Sequence, residues 1–334
     1  MTSRTPDHVQ WDLPGRPGPA TINWIGDRLV DLGGGGASVG LDGSTTRPGV
    51  HWSFPFDRAV SLDDGSFQVL YVKDGTKGVV TAGYAQRQVR EINRSFYCAA
   101  AYEYPVEIGV IPEHGSVLFH CPDNYNQLVI EKIESGERLA APTDCVDFFH
   151  SRLRLSPNGR FLLSAGWVWH PVGIIHVYDL EIGMKNPAHL GGEGILPERG
   201  FADAYVEAAC WLSEDLIAVA TAHDEESLGW DDVGLKPGEL GVWSLSEAAW
   251  VARWPLRMHV GSLHRIGRDL LSSWDHPRTI STDSGLVTEA WPELQTGRQV
   301  GCIFGSDREA QVACDGDNRR FAVLKDKQVA MVQL

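Results

Sequence analysis

Five polar stretches concentrate the side chains that could ligate a metal, move a proton or anchor a partner. They are HCPDNYN (120–126), GWVWHPV (166–172), AHDEESLGWDDVGLKPGE (222–239), WDHPR (274–278) and CDGDN (314–318). Between them they carry His120, Asp123, Trp167, Trp169, His170, His223, Asp224, Glu225, Trp274, Asp275, His276 and Asp315. Two kinds of chemistry suit this set. Neutral imidazoles beside carboxylates ligate zinc-like ions or act as acid and base. If a metal is held, its ligands are expected among His120, His170, His223 and His276, since neutral imidazole is the commonest donor to such ions. Trp167, Trp169, Trp230 and Trp274, ringed by carboxylates, are instead rigid anchors of the kind enriched at protein interfaces. These histidines lack helical or hairpin ligand spacing, so any shared site must be assembled from separate segments.

The 222–239 stretch is long for a turn, and length without regular structure points to a working loop. Its Lys236-Pro237-Gly238 turn could hinge it as a lid. Other motifs have plainer readings. GGGG (33–36) has no Gly-Lys-Ser/Thr ending and reads as a flexible turn rather than a phosphate cradle. DGDN (315–318) lacks the later glutamate and flanking helices of a calcium loop.

What positions these stretches is a repeat. Short alternating runs follow a polar or glycine turn at Asp27, Gly65, Gly115, Gly159, Asp215, Asp269 and Arg308. The gaps are 38, 50, 44, 56, 54 and 39 residues, so seven units share 334 residues at about 48 each. That is the period of four short strands per propeller blade. Third strands are expected at NQLVIEKI (126–133), GIIHVYDL (173–180), ELGVWSL (239–245) and RRFAVLKD (319–326). SLSEAAWVARW (244–254) reads as turn plus strand, and KQVAMVQL (327–334) as the fourth strand that closes the ring. FYCAAAY (96–102), VEAACW (206–211), HVGSLH (259–264) and QVGCIF (299–304) are rich in small residues, as innermost strands near an axis would be. Cys98, Cys210 and Cys302 within them read as small buried hydrophobes.

Two units, SPNGRFLLSAG…IIHVYDL and LSEDLIAVATA…LGVWSL, make the chain resemble a divergent member of the WD40/YVTN-like β-propeller superfamily. Tyr178-Asp179 and Trp243-Ser244 stand where such repeats often end a third strand with Trp-Asp, whereas the Gly-His signatures are missing. The resemblance implies a ring with a central channel, commonly a platform for partners. The expected fold is therefore all-β: residues 1–19, with four prolines, form an irregular arm, and 20–334 form one propeller of seven four-stranded blades, in preference to six or eight.

Acidic residues outnumber basic ones, 44 against 29, for a net charge of −15. That field repels nucleic-acid phosphates and anionic membrane surfaces. No apolar run has the length of a signal core or membrane span, and the six cysteines include no Cys-x-x-Cys pair. The expectation is a cytoplasmic, monomeric, cofactor-free scaffold that binds a protein or peptide, basic rather than acidic, through its loop-rich face. The alternative is a propeller hydrolase or lyase with a His/Asp/Glu or metal site at the channel mouth.

Overall fold

The computed structural model describes residues 7–9, 19–47, 49–197, 200–224, 226–229, 233–305, 309–325 and 328–334. They form seven antiparallel sheets, six of four strands and one of three. The innermost strands are Asn23–Ile25, Arg58–Ser61, Val106–Ile111, Leu153–Leu155, Val206–Trp211, Leu263–Ile266 and Gln311–Asp315. Each touches the next, the fourth and fifth through Trp211 Nε1 donating to Arg154 O at 2.9 Å, and the last touches the first, so the seven sheets are the blades of a closed ring.

The repeat rhythm arises from burial. In each blade the second strand is sandwiched between neighbouring blades, so its side chains on both faces are apolar. Val117, Leu118 and Phe119 of the third blade and Ile217, Ala218 and Val219 of the fifth are all fully enclosed. The turns between strands are cut by residues suited to tight geometry. In Ser156-Pro157-Asn158-Gly159 the Gly159 N–H bonds to Ser156 O at 2.9 Å. Gly159 has φ +71°, and a Cβ there would lie 2.5 Å from Val110 O, so only glycine fits. The fourth blade departs from the pattern. After its third strand, Val172–Asp179, the Asp179 carboxylate caps a short helix, Leu180–Lys185, accepting from Glu181 N at 2.9 Å. Chain then returns to the outer edge at Ile195, whose N–H bonds to Val177 O at 2.8 Å.

The expected second and third strands in units one to six are present in their expected roles, and Ala249–Pro255 is a strand, as its place in the repeat required. The seventh unit is displaced by one strand. Gln311–Asp315 is its innermost strand, Arg320–Lys325 its second and Gln328–Gln333 its third. The fourth comes from the opposite terminus: Asp7–Val9 pairs with Gln328–Gln333 in the register Asp7↔Met331, His8↔Ala330, Val9↔Val329. Ring closure thus uses both ends of the chain. Removing residues 1–10 is expected to leave the edge of Gln328–Gln333 open to intermolecular pairing. Light scattering during a thermal ramp should show earlier aggregation than in the full chain; an unchanged onset would contradict the closure. Removing 328–334 takes an interior strand and should prevent folding.

Two segments read as innermost strands, 96–102 and 299–304, are instead loops entering the third and seventh blades. Their small residues serve a different close approach. Tyr102 pairs with Ile303 as an isolated antiparallel bridge, Glu103 N bonds to Cys302 O at 3.2 Å and Phe304 N to Ala101 O at 2.8 Å. The third and seventh blades are not neighbours, so this ladder runs across the axis and closes one mouth of the channel. VEAACW is innermost as expected, and in HVGSLH only the last two residues join the strand.

Candidate functional site

Antiparallel succession within each blade sends the loops between second and third strands, and those entering each blade, to one face. Turns between first and second strands lie on the other. The cross-axis ladder marks the first of these faces. A charged network lies directly beneath it. Glu103 Oε1 receives Lys73 Nζ at 3.2 Å, Arg152 Nη2 at 2.8 Å and Gln299 Nε2 at 3.0 Å. Glu309 lies 3.8 Å from both cations and accepts from Ser262 Oγ at 2.9 Å and from Ser273 Oγ. Burial opposes ionisation of Glu103, but the Arg152 and Lys73 charges overcome it and hold its carboxyl down to about 2. Below the network the channel is a cavity of 450 Å³ into which Arg58, Glu107, Arg154 and His264 also face.

Around the closed mouth the structure builds two separate side-chain clusters. The first, at the third and fourth blades, is aromatic. Phe149 stacks on Trp167 at 3.9 Å between centroids and on Tyr125 at 4.1 Å; Trp169 meets Phe149 edge-on at 5.4 Å, and Tyr97 lies 5.1 Å from Tyr125. Phe149 and Trp167 are buried, whereas Trp169 is 46% exposed, Tyr97 49% and Phe96 85%. Tyr125 donates its hydroxyl hydrogen to Asp147 at 2.7 Å. Next to the cluster a cavity of 560 Å³ opens between the fourth and fifth blades, lined by Val146, Phe148, Val168 and Phe201, with Asp147 and Glu193 among its polar residues.

The second cluster lies at the fifth and sixth blades. Glu207, on the innermost strand of the fifth blade, has its carboxylate buried and faces His259 Nδ1 at 3.0 Å. It also accepts from Val260 N at 2.7 Å and Gly261 N at 2.6 Å. The Glu207 hydrogen bond raises His259 above the ordinary imidazole range despite partial desolvation. His259 Nε2 faces Asp224 at 3.3 Å, the His223 ring is 4.4 Å away, and Trp274 packs at 5.3 Å.

The residues singled out from sequence divide between these places. Trp167 and Trp169 enter the aromatic cluster; His223, Asp224 and Trp274 enter the second; exposed His170 sits in the hairpin turn of the fourth blade with φ 101°. Asp123 is exposed and pairs with Arg138 at 2.8 Å. Asp275 pairs with Arg298 at 2.8 Å and with His276 at 3.0 Å, while Arg278 donates to His276 Nε2 at 3.1 Å. His120 is buried against Glu131 at 3.2 Å, and desolvation lowers its pKa. Glu225 and Trp230 lie outside the described residues. Asp315 belongs to a first-to-second-strand turn and therefore to the opposite face, where it binds Arg320 at 2.7 Å. The one-strand displacement of the seventh blade explains that misplacement.

The four-histidine metal set is not assembled. Among the described residues the group of three metal-competent side chains is His223, Asp224 and His259, so His223 alone of the four takes part. His120 and His276 are committed to their own carboxylate and guanidinium partners. Sequence reasoning missed Glu207, His259, Tyr97, Tyr125 and Phe149. Glu207 had left a signal, being the one charged residue in the otherwise apolar VEAACW strand.

No protein-family model matches the chain, and no curated protein does. Solved structures do. A chain of the crystal structure of a mitotic checkpoint complex superposes with a TM-score of 0.61 at 13% identity, covering 100% of this chain and 94% of that one. The Cps50 (Swd1) β-propeller domain of Myceliophteria thermophila gives 0.61 at 10% identity, covering 99% and 100%. Kuenenia stuttgartiensis hydrazine synthase gives 0.62 at 15%, covering 97% and 99%. The chain is a seven-bladed β-propeller, and at these identities the likeness is one of fold. Among the described residues no helix is long and apolar enough to cross a membrane.

Proposed function

We propose that this propeller is a protein-binding platform whose recognition surface is the aromatic cluster at the third and fourth blades. The observation that carries this reading is the half-exposed shelf of Tyr97 and Trp169, backed by buried Phe149 and Trp167, with exposed Phe96 next to Tyr97 in the chain. Rigid aromatic side chains give large contact area at little entropic cost, and a buried base keeps them fixed before binding. The adjoining apolar cavity offers depth for a partner side chain. Asp147 and Glu193 in its lining, in a chain of net charge −15, favour a basic protein or peptide segment. The face is closed over the axis, which suits a partner lying across it better than a substrate entering the channel from this side. The two checkpoint-complex and Swd1 neighbours are compatible with this reading through their fold.

Exposed aromatic anchors at an interface centre typically contribute about 2 kcal/mol or more. Trp169→Ala combined with Phe96→Ala should therefore weaken capture of partners from native host lysate by at least about tenfold. Tyr84→Ala, which removes an aromatic 71% exposed on the opposite face, should leave capture intact. Equal recovery of the same proteins by the double variant and the parent would place the interface elsewhere.

A further inference from the structure

We infer that His223, Asp224 and His259 form a binding site for one divalent transition-metal ion, zinc being the best match, at the junction of the fifth and sixth blades. Three donor atoms, one from each residue, all lie within 4.8 Å of one another. A tetrahedral ion with bonds of about 2.1 Å needs its donors about 3.4 Å apart. The ligand set must therefore close by little more than an ångström. The residues able to make that movement are the exposed ones: His223 and Asp224 lie on the loop that links the second and third strands, while His259 is buried and fixed.

His259 is held as a metal-binding histidine requires. Its Nδ1 faces the buried Glu207 carboxylate at 3.0 Å, which assigns the proton to Nδ1 and leaves Nε2 aimed at Asp224 and His223. Glu207 is itself anchored by two backbone N–H groups, of Val260 and Gly261. A carboxylate behind a ligating imidazole sets its tautomer, orientation and basicity, and loss of such a group commonly costs 10–100-fold in metal affinity. Asp224 and Glu207 together balance the ion's charge. Two imidazoles and one carboxylate suit zinc or a neighbouring first-row ion better than calcium or magnesium, which prefer oxygen donors. Three protein ligands leave a fourth position, which faces solvent on the loop-rich face. The site is separate from the aromatic shelf and stands or falls independently of it.

The test is titration of tag-free, chelator-treated protein with Zn²⁺ by calorimetry, and with Co²⁺ by visible absorption, which reports tetrahedral coordination directly. The expected result is one ion per chain with cobalt bands of tetrahedral type. His223→Ala and Asp224→Ala change exposed side chains and should each weaken binding at least about tenfold, and Glu207→Gln about 10–100-fold. His170→Ala, an exposed histidine of the same face outside the cluster, should bind as the parent does. Failure of the parent to bind either ion, or binding unchanged in His223→Ala, would overturn the assignment.

Discussion

Replacing Glu103 by alanine is expected to destabilise the protein by about 3–5 kcal/mol, because it strands Lys73 and Arg152 beneath the closed mouth without their shared carboxylate. Both cations are nearly enclosed, with side-chain exposures of 8% and 9%. Glu309, 3.8 Å from each, is too distant to replace the lost hydrogen bonds. At about 2.1 cal/mol/K of unfolding entropy per residue, a 334-residue chain should then melt about 4–7 °C lower. Glu103→Gln keeps the side-chain volume and should still cost most of that amount, which separates lost charge from lost packing. Adding Lys73→Met to Glu103→Gln should restore part of the stability, since one unpaired charge is removed. Differential scanning calorimetry of the three variants decides the matter: melting within a degree of the parent in Glu103→Gln would show that the network is not stabilising.

Acidification should have a second large effect, on the side of the ring near the fourth blade. His150 meets the Phe148 ring edge-on at 4.9 Å, His176 stacks on it at 4.1 Å, and both are buried. Desolvation lowers His150 to about 3 and His176 to about 4. His150 contacts the Ser164 hydroxyl at 3.2 Å and the Asn126 backbone, and His176 contacts the Tyr178 hydroxyl at 3.0 Å; none of these supplies compensating charge. Both stay neutral in the fold but take up a proton once unfolded, near the ordinary imidazole value of about 6.5. Between that value and about 4 the unfolded chain holds more protons, so stability falls as pH falls. Each histidine adds about 1.4 kcal/mol per pH unit to that slope. His120 and His264, also lowered by burial, act in the same direction. Glu103 then joins: its depressed carboxyl contributes stability above the usual carboxylate range, lost as pH drops towards about 2. Against a total of about 5–15 kcal/mol, such slopes should unfold the protein between about pH 4 and 5. Melting followed by circular dichroism from pH 7.5 to 4.5 should show the decline, and His176→Gln should make it shallower. A flat melting temperature over that range would contradict neutral burial of these rings.

The blade count was readable because second strands are buried on both faces, and this leaves apolar runs at a regular interval whatever the loops contain. The seventh unit misled for a physical reason. Gln311–Asp315 carries the alternation of a half-buried inner strand, and its proximity to Asp269 gave a gap of 39 residues where the true second strand, starting at Arg320, gives 51. The N-terminal closing strand was hidden because three residues in a proline-rich segment carry no periodicity. Site residues were legible by type on the loops, where polar and aromatic side chains stand out against the repeat. Their partners were not. His259 meets His223 only through the contact between blades five and six, and Phe149 meets Trp167 only because a blade-entry loop folds back over a hairpin. Pairings of that kind depend on how neighbouring blades are rotated, which a single sequence does not encode locally.

The bridge between Tyr102 and Ile303 also bears on how the ring comes together. In a repeat protein whose units touch only their neighbours, opening can start anywhere and spread from one unit to the next. Here a chord joins units about 200 residues apart and divides the ring into an arc of two blades and an arc of three. Neither arc can spread without breaking contacts that belong to the other. Forming the chord requires the chain entropy of a long closure to be met, which slows assembly and raises its cooperativity. The ring is in this sense two unequal half-rings tied across the middle, and its opening is a collective event rather than the fraying of one blade.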